Sequence, residues 1–414
     1  MPLVEKQSTA WLSKLTLPLL RRVAFLIGAP SSGTKPALAR QIRQELEASS
    51  ATTARKRSQR LERSAPVPTD SLSIVSIDVG IRNLAYAHLV AFPATSAGSR
   101  DGVESPENLR PNLLAWKRVV ISGAPNGAVA STRHRAEYKS SHDLVVAPLH
   151  AAEGTLNEDA ILKLEKEAFD PSTFATYAYD FVKSILDVHH PTHVLIERQR
   201  FRSGGASAVQ EWTIRVGVFE GMLHAALKTL SEEHGLPVVV QGVDPGRVTR
   251  YWLEGRAAKG KERISSGKES KKAKIDIVGN SLASAGAAAF VNVSSGSDHG
   301  SQHGVEKMVD AFLARWQRKN GKSRSGVAKD ILKLDDLADC LLQGVAWLNW
   351  QSKKEEVLHR GLEAFAEDLL FASARLRKSS RLPTELSTAK KKRALCSSPV
   401  RSSSSNPGAL TEFD

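Results

Sequence analysis

The sequence predicts an α/β chain: a mixed sheet flanked by helices and preceded by a small helical module. Three observations predict it. Apolar segments of strand length recur at 73–78, 84–90, 113–121, 193–199 and 237–243. Helical periodicity runs through 174–186, 206–230 and 333–350. The first 48 residues carry an apolar stripe of their own and are followed by a stretch rich in Ser, Thr, Arg and Pro. Hairpin strands followed by alternating helices and strands give a layered α/β architecture.

In chain order, Leu12, Leu15, Leu19, Val23 and Ile27 fall at helical spacing. Pro18 suits the first turn of that helix and Gly28 its end. A turn over 31–36 leads to a second helix with Leu38, Ile42 and Leu46 as its stripe. Residues 1–48 are read as this module and 49–70 as a linker. The main domain is read as 71–352, with polar or low-complexity insertions near 122–160 and 254–330. Residues 353–414 are read as a helical extension and a disordered basic tail.

The chain has 414 residues, with 58 Lys and Arg against 44 Asp and Glu, a net charge of +14. That excess favours a polyanionic partner. It is unevenly placed. Residues 1–63 hold 12 basic and four acidic side chains, 353–414 hold 12 and eight, and 255–274 hold eight and two. The rest of the main domain is slightly acidic. Two cysteines exclude a disulfide framework and a Cys-rich zinc site. No apolar run reaches the roughly 18 residues of a membrane span, and no secretory signal is readable.

Acids interrupt the apolar strands. Asp78 ends SIVSID, and Glu197 lies inside VLIERQ. A carboxylate there costs several kcal/mol unless it is neutralised. A third group is Asp335-Asp336-Leu337-Ala338-Asp339, in which Asp339 shares a helical face with either Asp335 or Asp336. Taken singly, each acid reads as a turn residue or a helix cap. Together they suit two Mg²⁺ or Mn²⁺ ions and hydrolysis of a phosphodiester.

Ile77-Asp78-Val79-Gly80-Ile81-Arg82-Asn83-Leu84-Ala85, Ile196-Glu197-Arg198-Gln199-Arg200-Phe201-Arg202 and Asp335–Asp339 resemble the motifs of the fungal mitochondrial Holliday junction resolvases. Those are cruciform-cutting endonucleases with a ribonuclease H-like fold, related to bacterial RuvC. The resemblance spans about 73–350 in the same order. It implies a homodimer that nicks four-way junction DNA in mitochondrial DNA recombination. It implies Asp78, Glu197 and Asp339 as catalytic metal ligands. The fourth is Asp335 or Asp336, between which the sequence does not choose, and two Mg²⁺ or Mn²⁺ ions complete the site. The two insertions are longer than the minimal family pattern.

Arg198, Arg200 and Arg202 alternate about Glu197 and Gln199, so on an extended strand they face away from Glu197. They are read, with Gln199, as DNA contacts. Pairing with acids such as Glu211 is the structural alternative. Lys271, Lys272 and Lys274 are further DNA candidates, as against a solvated charge run.

The order Gly33-Thr34-Lys35-Pro36 differs from the Gly-Lys-Ser/Thr of a P-loop, so no nucleotide cofactor is expected. The stretch LTLPLLRRVAFLIGAPSSGTKPALARQI instead resembles a SAP-type DNA-binding hairpin, with Lys35, Arg40 and Arg43 as phosphate contacts. The same stretch is acid-poor enough for a mitochondrial presequence. The resemblance implies the mitochondrial matrix, while Ala389-Lys390-Lys391-Lys392-Arg393 permits a nuclear address. His134, His189 and His190 read as turn or surface residues, and Trp347 and Trp350 as packing. Two competing readings remain: a nuclease for RNA–DNA hybrids or other branched DNA, and a non-catalytic junction-binding protein.

Overall fold

The computed structural model describes residues 11–62, 71–81, 84–92, 110–119, 170–199, 210–257, 267–284, 289–293, 302–319 and 333–379. The 122–160 stretch, Arg200, Arg202, His134 and the tail beyond 379 lie outside these residues. Two compact units are distinguished, 1–359 and 360–414.

The first unit opens with helices α1 (Leu17–Leu26) and α2 (Lys35–Glu62). Pro18 stands in the first turn of α1, and Gly28 follows the helix with φ +72°. A side chain at Gly28 would be strained there and would collide with Trp350, whose ring atoms lie 2.4 Å from the ideal Cβ position. The α2 helix runs on to Glu62, into the stretch read as an aperiodic linker. Its Lys- and Arg-rich second half keeps helical backbone because those residues are good helix formers.

Six strands form one sheet: β1 (Leu72–Asp78), β2 (Leu84–Ala91), β3 (Asn112–Val119), β4 (His193–Glu197), β5 (Val239–Val243) and β6 (Asn292–Val293). The order is β5-β4-β1-β2-β3-β6. The β1, β2 and β3 strands are an antiparallel meander, while β4, β5 and the short β6 are parallel to their neighbours. This is a mixed sheet flanked by helices, as the sequence predicted.

Both faces of the sheet are covered, so the strands alternate between two apolar layers rather than between core and water. Val75, Ile77, Tyr86, Val194 and Ile196 face α3 (Pro171–His189) and α4 (Glu211–Glu233), against Phe174, Phe181, Phe219 and Leu223. The start of α3 follows from its sequence: Asp170 caps it by accepting from the Thr173 amide at 3.0 Å, and Pro171 is the first helical residue.

Ile74, Leu89, Trp116 and Leu195 face the other layer, built by α5 (Pro245–Ala257), α6 (Gly267–Ala283), α7 (Gln302–Lys319) and α8 (Asp335–Arg360). Within the 254–330 stretch read as an insertion, the described helices α6 and α7 contribute buried residues to this layer. Val305, Val309, Phe312 and Trp316 recur at helical spacing on α7 and are buried. A short helix, α9 (Leu362–Ser379), follows in the second unit.

The α8 helix is held tightly. Trp116 Nε1 donates to the Leu337 carbonyl and Trp252 Nε1 to that of Leu342, both at 3.0 Å. Trp347 Nε1 donates to Gln241 Oε1 at 2.8 Å. Trp347 and Trp350 are buried packing residues.

His189 departs from the surface position expected of it. Its ring lies 4.5 Å from that of His88, and Nε2 is 3.4 Å from the Tyr86 hydroxyl. Ser73 Oγ lies 2.9 Å from His88 Nε2. Burial, with His189 beside it, lowers the His88 pKa to about 3, and burial with Lys117 nearby lowers His189 to about 4. His88 therefore stays neutral in the fold while its unfolded counterpart takes up a proton near pH 6.5. Its contribution is present above pH 6.5 and is lost progressively towards pH 3. At pH 5 the loss is about 2 kcal/mol. Urea midpoints at pH 7.5 and pH 5 should differ less for His88→Gln than for the wild type; an unchanged difference would contradict the assignment.

Candidate active site: carboxylates at the strand ends

The β1 and β4 strands are parallel neighbours with Ile77 paired to Ile196. One residue further, Asp78 and Glu197 stand side by side at the strand ends. Alternation places both on the face of Ile74 and Leu195, beneath α8. Gln343 of α8 grips β1, donating from Nε2 to Ser76 Oγ at 3.1 Å and to the Ile77 carbonyl at 3.2 Å. Gly344 allows this approach, since its Cβ position is 2.6 Å from Leu89 Cδ1 and 3.2 Å from Ser76 Cβ. Asp339 is one turn before Gln343 and Asp336 two turns before it, so the same helical face carries both acids to Asp78.

The electrostatics record the convergence. Burial pushes the Asp78 carboxyl well above its ordinary range, and Glu197, Asp339 and Asp336 push it further, with Lys274 opposing them. Burial and Asp335 raise Asp336 to about 6. Burial also raises Asp339, against the pull of Lys274. Asp335 behaves differently: burial raises it, but its bond to Lys271 prevails and leaves it below the usual value. Of the two candidates for fourth ligand, Asp336 is the one for which burial and the neighbouring Asp335 outweigh the pull of Lys333 and Arg118. Its Oδ2 is buried with no hydrogen-bond partner among the described residues.

A buried donor set made only of carboxylates suits a hard divalent cation such as Mg²⁺ or Mn²⁺. The orphaned Asp336 oxygen and the mutual repulsion at Asp78 are what such an ion would relieve. The residues therefore fit the expected metal, with Asp78, Glu197, Asp336 and Asp339 as holders. Among the described residues no three or more His, Cys, Asp or Glu side chains are placed as a ready-made metal cage, so the acids would have to draw in around an ion. Two lysines of α6 take up carboxylate oxygens instead: Lys274 Nζ is 2.5 Å from Asp339 Oδ1, and Lys271 Nζ is 2.7 Å from Asp335 Oδ2.

The expected DNA contacts divide. Arg198 is exposed, and its stem lies over Gly242, whose Cβ position is 2.9 Å from Arg198 Cγ. Glu211, named as its structural partner, pairs with Arg215. Gln199 is engaged within the protein: its backbone N–H donates to Glu220 Oε2 at 3.0 Å, and its side-chain Nε2 donates to the Val79 carbonyl at 3.3 Å. It is a brace between the two carboxylate strands. Lys271 is paired with Asp335, while Lys272 is exposed. Lys35 and Arg40 are exposed on α2, and Arg43 pairs with Glu47 at 3.6 Å.

The helical hairpin is seated on the α/β layers. Arg247 Nη1 donates to the Gly28 carbonyl at 2.8 Å, and the buried Lys354 donates to Glu45 Oε2 at 2.8 Å. Phe25 stacks on Tyr251 with centroids 5.9 Å apart. Gln343 was not singled out from the sequence, and Lys274 was read as a DNA contact or a solvated charge, not as the partner of Asp339. Gln343 had a signal, one turn after Asp339 on an otherwise apolar face. Lys274 lay within a lysine run, where nothing marks one lysine above another.

Residues 74–357 match the family described as mitochondrial resolvase Ydc2 / RNA splicing MRS1. The mitochondrial cruciform cutting endonuclease 1 of Schizosaccharomyces pombe is 27% identical over 192 residues, which is 45% of this chain and 61% of that protein. The protein of the same name from Saccharomyces cerevisiae is 21% identical over 364 residues, 82% of each chain. The crystal structure of the yeast mitochondrial Holliday junction resolvase Ydc2 aligns over 86% of this chain and 99% of its own, with a TM-score of 0.39 and 19% identity.

Asp336→Asn removes a half-buried charge that burial and Asp335 disfavour. At pH 7.5 its thermal midpoint without added metal should exceed the wild type by a few degrees, about 1–2 kcal/mol after allowance for partial exposure. The stabilisation that Mn²⁺ confers on the wild type should shrink in the same variant. A variant both less stable and equally responsive to Mn²⁺ would exclude Asp336 from the site.

Proposed function

The chain belongs to the mitochondrial resolvase Ydc2 / RNA splicing MRS1 family, and on that premise we propose that it is a structure-selective endonuclease that resolves four-way DNA junctions by hydrolysing phosphodiester bonds. The observation that carries the reading is the convergence of Asp78, Glu197, Asp336 and Asp339 at the end of two parallel strands. A protein that only binds nucleic acid has no use for uncompensated buried carboxylates, which cost stability. They are worth keeping where a divalent cation and a phosphate are to meet.

Asp78 and Glu197 supply fixed oxygens from the sheet, while Asp336 and Asp339 supply oxygens from the first turn of α8. Bound Mg²⁺ or Mn²⁺, two ions in this proposal, would supply Lewis-acid stabilisation for the attacking and leaving oxygens of a phosphodiester. The chain's own part is to hold those carboxylates rigidly and to bring the backbone to them. Gln199 and Gln343 brace the strands, so that the acids need little rearrangement during the reaction. Arg198, Arg200, Arg202 and Lys272 position phosphates beside the site, and Lys35, Arg40 and Arg43 hold a neighbouring arm of the DNA.

Two opposed nicks in a junction require two such sites, so the working form is a homodimer. The exposed row Ile214, Val218, Gly221 and Ala225 along α4 supports that assembly. The relatives are named mitochondrial, and the mitochondrial matrix is the proposed location.

The family description also includes RNA splicing, and a non-catalytic binding role is the alternative. Asp78→Asn separates the two. It should bind a synthetic four-way junction as the wild type does, while Mg²⁺-dependent cutting falls by on the order of a thousandfold. Plain duplex and an RNA–DNA hybrid in parallel reactions test substrate class. Unimpaired cutting by the variant would contradict the site. A wild type that binds but never cuts in Mg²⁺ or Mn²⁺ would establish the binding role.

A further inference from the structure

Lys271 and Lys274 are three residues apart on α6, and Asp335 and Asp339 are four apart on α8. Each spacing is about one helical turn, so both ion pairs form side by side between the two helices, at 2.7 and 2.5 Å. The lysines are delivered by a packed helix, because Ile275 and Val278 of α6 are buried in the core and Gly279 lies against Trp316. Their exposure differs: the Lys274 side chain is 13% exposed and that of Lys271 is 59%. Lys274 also acts on Asp78, opposing the like charges around it.

We propose that Lys274 and Lys271 are exchangeable counter-ions, displaced by a divalent cation and drawn off by junction phosphates, so that metal and DNA load the site together. The inference rests on the nuclease reading above. An ammonium and a metal ion cannot share one oxygen of Asp339 at close range, so each weakens the other's hold. The four-carbon stem of lysine lets the ammonium leave its carboxylate while α6 stays packed. A backbone phosphate offers it another charge-assisted partner. Asp339 is then free for the metal, and the metal in turn releases Lys274 to the phosphate. By linkage, DNA must raise metal affinity by the same factor as metal raises DNA affinity. The lysines would also keep the empty site from repelling itself apart, with Asp336 left as the unpaired acid that first attracts a cation.

Calorimetric titration of the full-length protein with Ca²⁺ tests this, with and without a synthetic four-way junction shown by denaturing gel to remain whole. Lys274→Gln should bind Ca²⁺ about tenfold more tightly than the wild type in the absence of DNA. Lys271→Gln should show a smaller gain in the same direction, and its exposed side chain makes it the safe variant should Lys274→Gln fail to fold. The junction should tighten Ca²⁺ binding to the wild type by a similar factor and have less effect on Lys274→Gln. Gln variants that bind Ca²⁺ no more tightly, with lowered thermal midpoints, would reduce the lysines to structural pairs and overturn the proposal. Equal Ca²⁺ affinity with and without bound junction would overturn it too. Failure of the nuclease reading shows separately, as a wild type that does not cut the junction in Mg²⁺.

Discussion

Like charges held together in a buried place are the constraint on which this structure depends. Asp78, Glu197, Asp336 and Asp339 meet where water is scarce, and burial together with neighbouring acids raises the cost of ionising Asp78, Asp336 and Asp339. Left alone, such a cluster would open or take up protons. Two things keep it assembled. The sheet fixes Asp78 and Glu197 by register, and paired lysines compensate Asp335 and Asp339. Asp336 is left with a buried oxygen that has no hydrogen-bond partner among the described residues. The stability sacrificed there is the kind of local expense that functional sites carry.

The α8 helix links the site to the rest of the chain. Its first turn holds the acids, its middle grips β1 through Gln343 and Gly344, and Trp350 and Lys354 further along receive the N-terminal hairpin. Three indole N–H groups on surrounding elements or on α8 itself fix its position. The basic hairpin is thus part of the same packed unit as the carboxylates. DNA held by Lys35 and Arg40 would be placed relative to the cutting site by side-chain contacts rather than by a loose tether.

Much of this was legible in the sequence, because apolar strands and the acids that interrupt them are local patterns. The β1, β2 and β4 strands, the carboxylate set and the hairpin helices follow from residue spacing alone. The region 254–330 was read as insertion because its glycines, serines and lysines mask a helical stripe. Val305, Val309, Phe312 and Trp316 carry that stripe and were passed over. The pairing of Lys274 with Asp339 and the docking of Lys354 on Glu45 were not legible, since they depend on which helices cross, and composition holds no information about that. Gln199 looked like a DNA contact from its place between arginines. Its amide instead serves Val79, one residue beyond Asp78, a role visible only once β1 and β4 are known to be neighbours.

The central claim is that the four carboxylates form a metal site whose oxygens are shared out between lysine and metal. Anomalous diffraction from crystals grown with Mn²⁺ tests it most directly. The account predicts anomalous density bounded by Asp78, Glu197, Asp336 and Asp339, with the Lys274 ammonium moved off Asp339. Mn²⁺ bound elsewhere, with Lys274 still seated on Asp339 at saturating metal, would contradict it.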